Sequence, residues 1–539
     1  MPRPLFPRPH ELPPPAEGVL MKRAISLLLA VFALGSCASA SAKPQAEKAP
    51  KAVESKATAV PRIMQLERPK GGEWFGLYVL GKKAGYAFFD IREGEYEGQK
   101  AVVEESRVTL KASVAGVETE RAVGEQRFYE YKDGGRLLAF REERRGDGGE
   151  ETLIGRCTPE GISLLRQRPG LPDETRSLPP TGEVVEHSDA PRLVAQTREK
   201  IAGLTIDLEQ TLEDKTMVTE FDSEGTMVVA GLAVPVLRTR TSEERSNLAV
   251  TTILSKKDGR VLELRFGEVM VGKAEDENLA KQLDKVDLFN LTRVVLDKPI
   301  PDSVRFGPAE VTFAVSGLAK EMRREDYRQK FSQTADGAVT LTVSSKAPAA
   351  SAKLPVKAGD DEEVREALES TLAVESEAPA IVKLSKKIVG DEKDAWAAAK
   401  RLNQFVHNYL AKSYGTSSDR ATDVLAAKKG DCTEHALLFT ALARAAGIPT
   451  RRVDGLVYMD AGDGVPALYW HEWAEVWVGE WAAIDPTFNQ PVADPTHIAF
   501  GTEGQSDTAG LIGQLQIKVL GFKAIEGVGA KAAKGSSGL

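Results

Sequence analysis

Two short runs decide how this chain of 539 residues is read. The first is Gly430-Asp431-Cys432-Thr433-Glu434-His435, leading into the apolar stretch 436–446. The second is Trp470-His471-Glu472-Trp473-Ala474-Glu475-Val476-Trp477, followed closely by Ile484-Asp485-Pro486-Thr487. Cysteine, histidine and aspartate in that order supply a thiol nucleophile, its base and the group that orients the base. Asp431-x-x-Glu434 is a capping-box-like start, which puts Cys432 at the first helical position. Unpaired backbone N–H groups there favour a thiolate. The neighbouring Asp431 and Glu434 carboxylates oppose it, so the thiol needs a histidine. Leu437, Leu438, Phe439 and Leu442 make the segment a core helix, which Gly447 and Pro449 end.

The strand after it alternates, with His471, Trp473, Glu475 and Trp477 on one face. A two-residue loop at Gly479-Glu480 would set Asp485 opposite Ala474, off the His471 face. A bulge or an odd-length loop near 477–481 is therefore expected if the three residues act together. Cys432 and His435 form a Cys-x-x-His pair, but no second pair at zinc-like spacing follows. His435 is read as a packing residue, and no metal or other cofactor is expected.

Gly-Asp-Cys-Thr-Glu-His-Ala, Ala-Arg-Ala-Ala-Gly-Ile-Pro-Thr-Arg, His-Glu-Trp-Ala-Glu-Val-Trp-Val and Ile-Asp-Pro-Thr together resemble the transglutaminase-like (papain-related) cysteine enzyme superfamily over about residues 375–500. The resemblance implies Cys432 as nucleophile, His471 as general base and acid, and Asp485 as its orienting residue. It implies an α/β domain, here 360–520, with the nucleophile helix on an antiparallel sheet. The expected activity is amide cleavage through a thioester, by a peptidase or amidase acting on a protein or peptide, cell-wall peptide included. Acyl transfer to an amine and a non-catalytic binding module are the alternatives. The backbone N–H of Cys432 is one natural oxyanion donor. Tyr414 is the candidate for the second, with Trp470 behind it.

Upstream, the pattern is β-rich and antiparallel, the form seen in exported bacterial members of the superfamily. Short alternating runs separated by Gly-containing turns fill 62–175 and 176–345, taken as two domains. Lys257-Asp258-Gly259-Arg260 echoes the Lys132-Asp133-Gly134 turn, a weak sign of repetition. A further strand is expected over 295–301. His187 reads as a surface histidine and Cys157 as a small buried hydrophobe. The whole is thus α+β, with antiparallel meanders leading into the α/β domain. Past the 346–359 linker the period changes to helical, clearest over 391–414. His407 lies beside that helix's apolar stripe and is read as structural.

The amino terminus reads as a targeting segment. Met21-Lys22-Arg23, the apolar run 24–33 and Leu34-Gly35-Ser36-Cys37 follow the signal-peptide order and resemble a bacterial lipobox. Residues 1–37 are then leader and signal, with Cys37 lipidated and tethering the protein to a membrane of the bacterial envelope, outside the cytoplasm. A plain secretory signal cut near Ala38-Ser39-Ala40 is the alternative, and translation from Met21 accounts for the Pro-rich start. Residues 38–61 form a tether too poor in large apolar groups to fold, and 526–539 a disordered tail. Net charge of −8 and pI near 5.6 leave no footprint for nucleic acid.

Overall fold

The computed structural model describes residues 60–525, apart from 115, 147–148, 209–211, 244–248, 336, 350, 414–417, 419 and 503–507. Cys37, nearly all of the tether, the 526–539 tail and Tyr414 lie outside the described residues. The described chain falls into two compact units, 60–112 with 118–286, and 287–525 with 113–117. None of its helices is long and apolar enough to cross a membrane.

In the first unit, 14 strands form one sheet. Glu73–Val79 pairs on one side with Lys82–Tyr96 and on the other with Met270–Glu275. From this seam one meander runs out to Glu174–Leu178 and the other to Ile201–Ile206. The expected boundary at 175/176 is thereby corrected. The stretch 200–275 is the second half of the same sheet, and residues from 287 onward belong with the other unit. The seam from Trp74↔Glu275 to Val79↔Met270 joins strands remote in sequence, which local hairpin spacing cannot reveal. Both Asp-Gly echoes do turn adjacent strands, with Gly134 at φ 63° and Gly259 at φ 65°.

His187 is buried rather than on the surface, and burial holds its pKa well below the usual histidine value. Cys157 is partly buried, and burial pushes its thiol up to about 12, so it stays protonated.

The second unit holds the sequence's helical period. Pro379–Val389 (α1), Ala395–Tyr409 (α2) and Cys432–Ala445 (α3) surround one apolar core. α3 is buried nearly all round, from Cys432 to Arg444, which explains why it carries alanine where a surface helix carries charge. The sheet it covers is built from Thr450–Met459 (β1), Ala467–Trp477 (β2), Trp481–Ile484 (β3) and Ile498–Thr502 (β4), in antiparallel pairs β1–β2, β2–β3 and β1–β4, with the two residues Val294–Val295 also paired to β2. A separate sheet orders Gln329–Gln333, Val339–Ser344, Ala309–Ser316 and the late strand Gln516–Ala524. The strand expected over 295–301 shrinks to Val294–Val295. Pro299 and Pro301 have no N–H to give a ladder.

Candidate active site

Cys432 opens α3 behind Asp431 as N-cap. Asp431 Oδ1 accepts from Thr433 N at 2.8 Å, and Glu434 Oε2 accepts from Asp431 N at 2.8 Å, so both arms of the capping box are made. Glu434 can fold back because residue 430 is glycine; a Cβ there would collide with the Glu434 side chain. His435 donates Nδ1–H to the Asp431 carbonyl at 2.6 Å, and burial brings its pKa down to about 4. That bond turns His435 back on the cap of its own helix.

The β2–β3 connection is the odd-length one. Trp477 pairs with Trp481 across Val478-Gly479-Glu480, and Ala474 pairs with Ile484. Continuing that register sets Asp485 opposite Trp473, on the side that His471 shares. Asp485 Oδ2 lies 2.7 Å from His471 Nε2. Its Oδ1 accepts from Thr487 N at 2.7 Å and from Phe488 N at 3.1 Å. Asp485 and Gln490 exchange both backbone bonds at 2.9 Å, closing the loop between them. α2 pins that loop through His407 Nδ1–H to the Thr487 carbonyl at 3.1 Å and Asn403 Nδ2 to Asn489 Oδ1 at 3.2 Å. His407 is thus a structural anchor for the Asp485 loop.

With its Nε2–H given to Asp485, His471 keeps Nδ1 unprotonated, and this buried nitrogen has no hydrogen-bond partner. The Phe488 ring stacks on the imidazole at 4.8 Å between centroids. Burial lowers the His471 pKa against the opposing charge of Asp485. The Cys432 thiol is pushed well above its ordinary value by burial, then by Asp431 and Glu472. A backbone hydrogen bond from Glu472, the residue after His471, works the other way. The resting pair is therefore neutral thiol and neutral imidazole. Cys432 and Asp485 have no exposed surface and His471 has 2%.

Sequence reading missed two residues, His497 and Asp494. His497 Nε2 lies 3.1 Å from the same Asp485 Oδ2, and its Nδ1 is 3.3 Å from Asp494 Oδ1. Glycine at 455 lets them in. Gly455 pairs with His471 across β1–β2, and a Cβ there would strike the Ile498 carbonyl, next to His497. A lone His-Ile pair before a strand carries no signal by itself. The nitrogens of His471 and His497 and an Asp485 oxygen lie within 4.8 Å of one another. The two nitrogen–oxygen distances, 2.7 and 3.1 Å, are those of hydrogen bonds, and we read the group as a proton network. Trp470, named as an oxyanion donor, is corrected: its Nε1–H goes to the Thr292 carbonyl at 3.1 Å, because alternation turns it away from the His471 face.

Residues 382–486 match the family model of the transglutaminase-like superfamily core. No curated protein matches the chain. Several solved structures are similar, three of them as follows. A candidate cysteine protease from Cytophaga hutchinsonii is 15% identical, with 40% of this chain and 86% of that one covered and a TM-score of 0.26. A β-barrel-like protein of a domain of unknown function from Brucella abortus is 10% identical, with 38% and 94% covered and a TM-score of 0.29. A candidate protease from Parabacteroides distasonis is 10% identical, with 70% and 69% covered and a TM-score of 0.17. At such scores these are likenesses only.

Proposed function

We propose that this chain, which carries a transglutaminase-like superfamily core at residues 382–486, cleaves an amide bond of a protein or peptide through a thioester on Cys432. The observation that carries the reading is the 2.7 Å His471–Asp485 bond, which leaves His471 Nδ1 as a base one residue before Glu472, whose backbone favours the Cys432 thiolate. As Cys432 attacks the carbonyl carbon, Nδ1 takes the thiol proton. Asp485 stabilises the imidazolium that forms. The Cys432 backbone N–H at the helix start faces the oxyanion, with Tyr414 as the proposed second donor. Collapse of the tetrahedral intermediate breaks the C–N bond, and His471 returns its proton to the leaving amine. Water, activated by the same Nδ1, then hydrolyses the thioester.

The test incubates purified protein with unfolded casein or peptidoglycan peptides, alone and with a dansylated primary amine. Cleavage without amine incorporation, lost in Cys432→Ala and His471→Ala, is expected. Amine incorporation would move the assignment to acyl transfer. No reaction, together with Cys432 alkylation by iodoacetamide that ignores His471→Ala and follows an ordinary thiol pKa of about 8.5, would leave a binding module. The same proposal includes export and acylation of Cys37. It predicts palmitate labelling of the wild type in a bacterial host and none in Cys37→Ala.

A further inference from the structure

Asp485 has two histidines on one oxygen, and the proposed reaction uses only one of them. His471 Nε2 and His497 Nε2 meet Asp485 Oδ2 at 2.7 and 3.1 Å, while Oδ1 is filled by two backbone N–H groups. Asp485 therefore accepts four hydrogen bonds in a site without water-exposed surface. His497 faces Asp494 with its other nitrogen, so it sits between two carboxylates. Asp494 is held in turn. Its Oδ1 accepts from Thr496 N at 2.8 Å and Thr496 Oγ1 at 2.6 Å, and its Oδ2 accepts from Gln490 Nε2 at 3.0 Å. Beyond Asp494 stand the cations Arg305, which acts on it electrostatically, and Arg328, bonded to its carbonyl at 2.7 Å. From β2, His471 lies edge-on to His497 at 5.8 Å between ring centroids, and Trp473 at 5.1 Å.

We propose that His497 is a positioning residue for the Cys432–His471–Asp485 unit: flanked by Asp494 and Asp485, it carries the cluster's resting proton and shares Asp485's charge, so that His471 rests neutral with Nδ1 open to the thiol. The inference rests on the reading of His471 as the base. With both imidazoles neutral the two carboxylates leave the cluster at −2; one proton brings it to −1, which Arg305 beyond Asp494 opposes, and a second proton would set two positive rings 5.8 Å apart in a buried site. Geometry decides which ring takes it. His497 touches both carboxylates, whereas His471 touches one and is stacked on Phe488. The directions of the two pKa values agree: burial lowers both, and only for His497 do Asp494 and Asp485 outweigh it. The positive His497 also acts directly to keep a second proton off His471.

The test has two readouts, neither of which needs a substrate. Nitrogen-15 histidine NMR of the full chain follows each imidazole, and peptide-resolved iodoacetamide labelling follows Cys432 against pH. In the wild type, His497 is expected to stay protonated at a pH where His471 is neutral. His497→Gln keeps an N–H donor but drops the charge. It should raise the His471 titration and the acid limb of Cys432 labelling by about one pH unit, as loss of a close like charge does. Asp494→Asn should lower the His497 titration, by removing one of the two carboxylates that flank it while leaving Cys432, His471 and Asp485 in place. A purely structural His497 would lower stability and leave both midpoints in place, which overturns the proposal. So would two imidazoles titrating together near 6.5, or one zinc ion bound per chain on these three residues. Labelling indifferent to His471→Ala would instead sink the catalytic reading itself, a separate and distinguishable result.

Discussion

Replacing Asp485 with asparagine changes one oxygen to an NH2 in a position where every neighbour is a donor. Two imidazole N–H groups face Oδ2 and two backbone N–H groups face Oδ1. The backbone pair cannot change its hydrogens, so the NH2 must turn toward the histidines. His471 then accepts at Nε2 and carries its proton on Nδ1, the nitrogen proposed as the base. The matching change in the serine triad costs about 10⁴-fold in kcat through this tautomer exchange, or about 5.4 kcal/mol of barrier. Asp485→Asn should therefore cut turnover by a factor on the order of 10³–10⁴, close to the loss in His471→Ala. It also takes away the charge on which two buried hydrogen bonds depend, at about 1.5–3 kcal/mol for each bond to a charged group. The expected loss of folding stability is about 3–5 kcal/mol, the range for breaking a buried pair. Cleavage of the casein or peptide substrate gives the first quantity, denaturant unfolding the second, and nitrogen-15 shifts the tautomer. A folded Asp485→Asn protein with Nδ1 still unprotonated and a rate within tenfold of wild type would refute the base assignment.

Three further outcomes follow from the same contacts. Asp431→Asn keeps an N-cap acceptor but removes the carboxylate that, next to burial, does most to hold the Cys432 thiol up. Iodoacetamide labelling at neutral pH should become faster, although an N-terminal acid next to the nucleophile has been lost; slower labelling in a folded variant contradicts the charge argument. Gly455→Ala would push a methyl into the Ile498 carbonyl and should cost about 1–3 kcal/mol by thermal unfolding, with a matching loss of cleavage. Acid should weaken the second unit in two stages. His435 has a folded pKa near 4 against an ordinary value of 6.5, so its neutral form is favoured by folding. That stability is whole above 6.5 and is lost as pH falls toward 4, by up to about 3 kcal/mol. The depressed Asp485 and Asp494 carboxylates add a second loss only below the usual carboxylate range. Unfolding free energy measured between pH 7.5 and 4 should fall in the wild type and fall less steeply in His435→Gln, where the buried His471 and His407, also lowered, still contribute.

The parts that were legible in the sequence are those written in local periods. α1 could be placed at 379–389 because Pro379 starts it and Gly390 stops it. The odd-length turn after Trp477 could be inferred because a side chain's face follows from counting by two. The sheet seam was not legible. Trp74 and Glu275 are neighbours only because two meanders meet, and no turn signal records that. His497 was hidden for a related reason: the residue that admits it is Gly455, on a strand of its own, and the residue that charges it is Asp494, in an irregular loop. His187 misled because its Ser/Asp/Pro-rich surroundings look like a surface loop. Those polar groups are themselves buried: Ser188 gives Oγ–H to the Val185 carbonyl at 2.9 Å, and Asp189 pairs with Arg192 at 2.9 Å.

The charges around Cys432 also bear on how such a site would fire. A pre-formed thiolate–imidazolium pair needs surroundings that reward both ions. Here Asp431, Glu472 and Glu434 all penalise the thiolate, and burial penalises both members. What survives in favour of ionisation is the helix start, the Glu472 backbone bond and the Asp485 carboxylate behind His471. Those three act only once a proton has moved from sulfur to Nδ1, and they are fixed in place before it moves. The arrangement thus favours a nucleophile generated during attack over one stored at rest. A buried, protonated thiol is also shielded from oxidants and from stray electrophiles. The labelling rate of Cys432 should then rise with His471 basicity, and fall to that of an inert buried thiol when Nδ1 is lost in His471→Ala.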